Sequence, residues 1–407
     1  MSTSTLPRHR PPTAGHRGSH RALLGTPADQ EPVGRESLLD VVAVPVYRSP
    51  EGLRDAVAVA DDAKALLLLL VSGPQPAEKV QARVTEFAPE VEVLTVDLHA
   101  YTPEPWLEPF LANRCPETAE IRAHDASVKR NVALLLAHQL GWERLLFLND
   151  DVRGFDPVKV RRTAALLETV SDDGSMRHDA AVWAFSRYPD NSVVCHAHRL
   201  AGGPQDTFVS DAALAVRVSP DLSFFPSVYN EDWLFLYDLV AHGRLGFAGD
   251  ELLQVPYRPF TSVRRAESEE FGDVLAEGLF SLLHVGGVPD LAAATTPGFW
   301  REAVRLRAAF IRDILGRLDR MRAATPNAVP ARRCLEAALA RHAPNWPDAL
   351  AAFVVKWRAD RVAWQETLAA LPRHGDRARA LVHLGLESRS WSSVDGAIAE
   401  PLEPARR

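Results

Sequence analysis

Residues 144–151 read RLLFLNDD: a short apolar run that passes directly into an amide and two carboxylates. Leu145, Leu146, Phe147 and Leu148 have the length and character of a strand buried on both faces, which is how strands of a parallel sheet read. In open α/β sheets ligands collect beyond the carboxyl ends of the strands. Asn149, Asp150 and Asp151 stand at such an end. Adjacent carboxylates repel one another unless a positive charge is near. A hard divalent cation, Mg²⁺ or Mn²⁺, is the simplest partner, and such ions commonly share a diphosphate with the protein. The competing reading is a surface turn, since Asn and Asp are frequent turn residues. The apolar strand in front of the triplet favours the metal site.

Upstream the same character recurs. Residues 38–47 (LLDVVAVPVY) predict a first buried strand, 65–71 (ALLLLLV) a second and 91–98 (VEVLTVDL) a third. Helical spacing separates them over 50–61 and 77–87. A longer helix is predicted over 125–140, where Val128, Val132, Leu135, Leu136 and Leu140 form one stripe and Gly141 supplies the stop. This alternation predicts an α/β fold, a mostly parallel sheet flanked by helices.

Downstream, residues 180–186, 192–198 and 245–254 read as strands. Residues 207–218 read as a strand pair or a strand and a loop. Asn230-Glu231-Asp232-Trp233 opens a helix running to about His242, and 257–268 is a polar, basic loop. From about Glu269 the pattern is helical, with Trp300, Val304, Ile311, Ile314 and Leu318 on one face of a long helix. The predicted division is a disordered arm over 1–36, an α/β domain over 37–268, a helical region over 269–395 and a disordered tail over 396–407. The arm is rich in Pro, Arg, His, Ser and Thr, too polar to offset its ordering entropy.

Composition sets bounds. The 407 residues are 46% hydrophobic and 24% charged, an ordinary globular balance. A net charge of -7 argues against nucleic acid as a partner. Cys115, Cys195 and Cys334 are too few and too scattered for a disulfide framework or a CxxC metal site, which suits a reducing cytoplasm. No apolar run approaches a membrane span, and Leu23-Leu24 is too short for the core of a secretory signal.

Other segments carry chemistry. In Asn230-Glu231-Asp232-Trp233 the acids are either helix-capping groups or a general base for a hydroxyl, and Trp233 is either core or a platform for a sugar ring. Lys129 and Arg130, at the predicted start of the 125–140 helix, are either an anion site or a solvated face. Tyr257, Arg258, Arg264 and Arg265 form either a phosphate clamp or a plain basic loop. His196 and His198, two apart on a predicted strand, give a weak metal signal; core or surface histidines are the better reading.

The order of these segments resembles GT-A glycosyltransferases of the broad family-2 kind. Residues 41–47 look like that family's first strand, with Pro45 and Tyr47 approaching the nucleotide. Lys129-Arg130-Asn131 looks like its Arg-Asn helix, FLNDDV at 147–152 like its metal motif, and Asn230-Glu231-Asp232-Trp233 like its later Glu-Asp motif. The resemblance spans about residues 38–260. It implies a GT-A mixed sheet and an enzyme of hexosyltransferase type. The donor would be a UDP- or GDP-sugar, the cofactor Mg²⁺ or Mn²⁺, and the acceptor a small molecule, a glycan or a lipid-linked hydroxyl. By position Asp151 would be the main metal ligand, Asp150 would bind ribose or assist the metal, and Asp232, beside Glu231, would be the base if the transfer is inverting; retaining relatives share the metal motif without needing that base, so the stereochemistry stays open. Asn149 stands where relatives carry Asp, and its amide oxygen is a weaker ligand. Val71-Ser72-Gly73-Pro74 lacks the acid that reads the base, for which Asp97 is the candidate substitute. His284 is the candidate late metal histidine. Two other readings stay open. One is a catalytically silent scaffold that binds a sugar or a protein. The other is a nucleotidyltransferase, which the absence of a Gly-rich phosphate loop near the first strand disfavours.

Overall fold

Strand β1 (Val41–Val46) shows why these apolar runs become a central sheet. Val41 and Ala43 pack into one hydrophobic cluster, and Val42, Val44 and Val46 into another on the opposite face. Strand β2 (Leu66–Val71) divides the same way, Leu66, Leu68 and Leu70 against Leu67, Leu69 and Val71. Side chains alternate across a strand, so only a run apolar at every position fills both faces. The computed structural model describes residues 20–25, 27, 39–47, 50–111, 121–186, 191–204, 209–284, 290–321, 326–386, 390–394 and 397–398.

Helix α1 (Arg54–Ala63) links β1 to β2, and α2 (Ala77–Phe87) links β2 to β3 (Val93–Asp97). Short α3 (Glu108–Leu111) and long α4 (Ile121–Leu140) lead to β4 (Arg144–Leu148), which pairs parallel with β1. The Asp40 carboxylate accepts the backbone N–H groups of Glu143 and Arg144 at 2.7 and 2.8 Å, which pins the start of β4 beside β1. Then come β5 (Val152–Arg153), α5 (Pro157–Leu167), β6 (Ala180–Phe185), α6 (Val193–Leu200), β7 (Ala213–Arg217), α7 (Glu231–Ala241) and β8 (Leu245–Gln254). Helices α8 (Val263–Leu283), α9 (Pro297–Arg320), α10 (Ala328–Ala340), α11 (Trp346–Ala370) and α12 (Arg377–His383) follow, with strands β9 (Ser390–Val394) and β10 (Ala397–Ile398) last.

The predicted α/β class holds. Eight strands lie in the order β3-β2-β1-β4-β7-β6-β8-β5, and β9 and β10 extend the β3 edge. The sheet is mixed: β3, β2, β1 and β4 run parallel, whereas β7 is antiparallel to both of its neighbours.

Several expectations change. Residues 192–198 are helical rather than a strand: Ser192 caps α6, accepting the Cys195 N–H at 3.3 Å, and Val193 and Ala197 lie one turn apart on its buried side. Helix α4 begins at Ile121, so Lys129 and Arg130 lie more than two turns inside it, not at its anion-attracting end. Helix α8 starts inside the predicted loop and runs through position 268, so that position is no boundary. Strand β9 pairs with β3, so the last stretch before residue 395 is not helical. Within the predicted arm, Arg21–Leu23 forms a 3-10 turn, Leu24 joins the core and His20 is buried. These apolar and aromatic contacts supply what the arm's composition lacks. Apart from Gly25 and Pro27, the rest of the arm, Cys115 and most of the predicted tail lie outside the described residues.

Candidate functional site

The carboxyl ends of β1 and β4 face one cavity of about 210 Å³, lined also by residues of α4, α6, α7 and α8. Among the described residues, nine acidic side chains and three cationic ones, Lys129, Arg130 and Arg265, line it.

The 149–151 triplet forms one wall. Its backbone does make a turn, with the Val152 N–H bonded to the Asn149 carbonyl at 3.2 Å, but this turn is buried: Asp150 and Asp151 keep 6% and 7% of their surface. The Asn149 N–H bonds the Ala212 carbonyl at 2.9 Å, and the Val255 N–H bonds the Asp151 carbonyl at 2.9 Å. The turn is thereby held between the chain entering β7 and the chain leaving β8. The Asp150 carboxylate accepts the Tyr47 N–H at 3.0 Å, and the Gln254 amide lies 3.4 Å from the Asp151 carboxylate. Pro45 and Tyr47 line the same cavity, with Tyr47 half exposed at its mouth.

Arg130 is the buried hub. It pairs with Asp211 at 2.6 Å and Glu231 at 3.0 Å, and donates to the Asn149 side-chain oxygen at 3.3 Å. This arrangement corrects two expected roles. Arg130's fork is already committed to carboxylates, so it is not free to hold a diphosphate as expected. Asn149's oxygen accepts from a cation, which competes directly with metal ligation. Lys129 donates to the Val46 carbonyl at 2.8 Å and pairs with Asp125 at 2.7 Å. Burial pushes its ammonium below the usual range, against the pull of Asp125 and Asp150.

Glu231 and Asp232 begin α7. Burial pushes Asp232 up to about 7, the neighbouring Asp211 charge adds to this, and Arg130 opposes it. Glu231 is raised well above the carboxylate range by burial, against Arg130 and with Asp211 and Asp232 adding. The capping explanation of this segment fails for Asn230, whose side chain makes no cap hydrogen bond. Trp233 lines the cavity and packs edge-on to His20 at 5.2 Å.

The structure does not bring every candidate here. Asp97 lies outside the cavity lining and holds His99, accepting its backbone N–H at 2.9 Å. His284, at the end of α8, pairs with His20 Nδ1 at 2.9 Å and is likewise outside the lining; the α8 helix sends Glu277 inward instead. His196 and His198 pack against Tyr257 and Phe310, and burial pushes His196 down to about 4. Of the basic loop, Arg265 reaches the cavity and stacks over Tyr257 at 4.0 Å. Cys195 also lines it, but burial pushes its thiol up to about 12, too high for a thiolate nucleophile.

Sequence reading missed Asp211, Gln254 and the α8 acids. Glu269, Asp273 and Glu277 recur every four residues, which places them on one helix face, so this signal was present. Asp211 precedes a strand with no pattern around it. Among the described residues no group of three His, Cys, Asp or Glu side chains is arranged to hold a metal alone. Mg²⁺ and Mn²⁺ are often held by one or two carboxylates completed by phosphate oxygens and water, and Asp150 with Asp151 match that donor set. A comparison with protein-family models finds no match, and a search of the curated proteins finds none either.

Glu269 carries a pH prediction. Burial raises its carboxyl from 4.5 to about 8, against Arg265 and the Val193 N–H that favour the charge. Between those values the folded chain keeps a proton that the unfolded chain releases, so this group's contribution to stability falls as pH rises through that window. Glu269→Gln should therefore gain melting temperature relative to the parent as pH goes from 5 to 8. A difference that stays constant over that range contradicts the buried neutral acid.

Proposed function

We propose that this chain is a metal-dependent glycosyltransferase that moves a sugar from a UDP- or GDP-linked donor to an acceptor hydroxyl. The supporting observation is a single cavity where a buried Asp150-Asp151 pair at a strand end meets Asp232, an acid tuned to about 7. Asp151 and Asp150 would hold Mg²⁺ or Mn²⁺, which when bound would neutralise charge growing on the leaving diphosphate. Lys129 lines the same wall and adds positive potential there. Asp232 takes the proton from the acceptor hydroxyl in an inverting transfer, and a base of that strength is half ionised near neutral pH. Arg130 keeps Asp211 and Glu231 fixed around it. Trp233 offers an apolar ring at the acceptor side.

A second reading, a scaffold that binds a sugar or a protein without transfer, draws support from the Asn149–Arg130 contact, which removes one ligand from the metal motif. Thermal denaturation with Mn²⁺ and a panel of nucleotide sugars separates the two. A UDP- or GDP-sugar at about one hundred times its Kd should stabilise the fold by about 2.7 kcal/mol. Asp151→Ala should lose that gain. No response to any nucleotide would sink the transferase reading.

A further inference from the structure

Asn230 is a residue well suited to cap a helix, standing at the cap position of α7, yet it caps nothing. Its backbone is left-handed, at φ 65° and ψ 35°, and its side chain turns away to donate to the Asp273 carboxylate on α8 at 3.0 Å. Both features forgo local stability, since a cap and a right-handed backbone are each favourable. Something beyond α7 therefore holds this turn. Helix α8 lies flush against it: a Cβ on Gly272 would clash with the Tyr229 carbonyl oxygen. Asp273 is buried, and its charge is matched by Arg307 of α9, itself 2% exposed. Arg307 also grips both oxygens of Glu270 at 2.9 Å, and His342, just past α10, reaches Glu270 at 2.8 Å. A buried ionic network of this kind is weak evidence of stability, because apolar packing of equal volume usually does as well. Networks of this kind can instead fix one geometry.

We propose that Asp273, held by Arg307, is a positioning residue that sets the Glu231-Asp232 pair through Asn230. Its catalytic consequence rests on the transferase reading above. The helical region is then part of the site's machinery, joined by one side-chain hydrogen bond to Asn230, the residue just before the acid pair.

Two full-length variants test this. Asn230→Gly keeps the left-handed backbone at no steric cost and removes only the tether. Arg307→Lys lies outside the cavity lining and removes the two-pronged grip. Both should retain a cooperative melt, lower kcat about tenfold or more, and change KM for the nucleotide sugar less than about threefold, the pattern of a lost transition-state arrangement. Carbon-13 NMR of the Asp232 carboxyl gives a readout independent of turnover. Its surroundings, Arg130 from α4, Asp211 before β7 and Glu231 beside it, keep their identities in both variants. Its titration midpoint should fall towards the ordinary carboxylate range in both. An unmoved midpoint together with unchanged kcat overturns the proposal. If the parent protein turns over no nucleotide sugar, the transferase reading fails, while a shifted midpoint still supports positioning and an unmoved one overturns it.

Discussion

Asp232→Asn is expected to lower kcat by roughly 100- to 10,000-fold, the usual contribution of a general base. The amide is nearly isosteric and keeps the acceptor oxygen that receives the Trp233 N–H at 2.9 Å, so the head of α7 should hold its shape. Nucleotide binding should stay within a few-fold, because Asp150 and Asp151 are untouched. The pH profile supplies the sharper check. Burial and the Asp211 charge push Asp232 up to about 7, and only the deprotonated form accepts a proton. Activity of the parent protein should rise with pH through that value, and the Asn variant should lose this limb. Turnover retained at the parent level would reject Asp232 as the base.

Arg130→Ala is expected to cost about 3–5 kcal/mol by denaturant titration, because it removes the cation that pairs with two acids at once. Asp211 and Glu231 are both nearly inaccessible, and Arg130 is the cation paired with each of them. Adding Asp211→Asn to Arg130→Ala should recover part of the loss, as expected for groups in one network. Equal loss in the single and double variants would mean that the guanidinium serves packing alone.

The central sheet was legible because its strands are apolar at every position, as in Leu66–Val71 and Leu145 to Leu148, and only a sheet covered on both faces uses such runs. The end of α4 was legible too: Gly141 adopts φ +72°, the left-handed stop its position implied. Short segments were harder. Eight residues from Val193 to Leu200 carry β-branched and apolar residues that suit a strand, and the Ser192 cap decided for a helix. The site was half legible. Asp150, Asp151, Lys129, Glu231 and Asp232 converge as their order suggested. Their partners come from far along the chain, Asp211 before β7 and Asp273 on α8; the four-residue spacing of the α8 acids marks a helix face, but nothing local announces which element tertiary packing sets against it. His284 illustrates the opposite error, since its spacing suggested a ligand, but the helix turns it towards His20.

The most direct measurement is a crystal structure grown with Mn²⁺ and UDP or GDP, read by anomalous scattering from manganese. The Asp151 metal assignment predicts an anomalous peak in coordination contact with Asp151 and with a diphosphate lying between Lys129 and the carboxyl end of β4. A nucleotide bound elsewhere, or a manganese peak away from Asp150 and Asp151 while the nucleotide occupies the cavity, would contradict it.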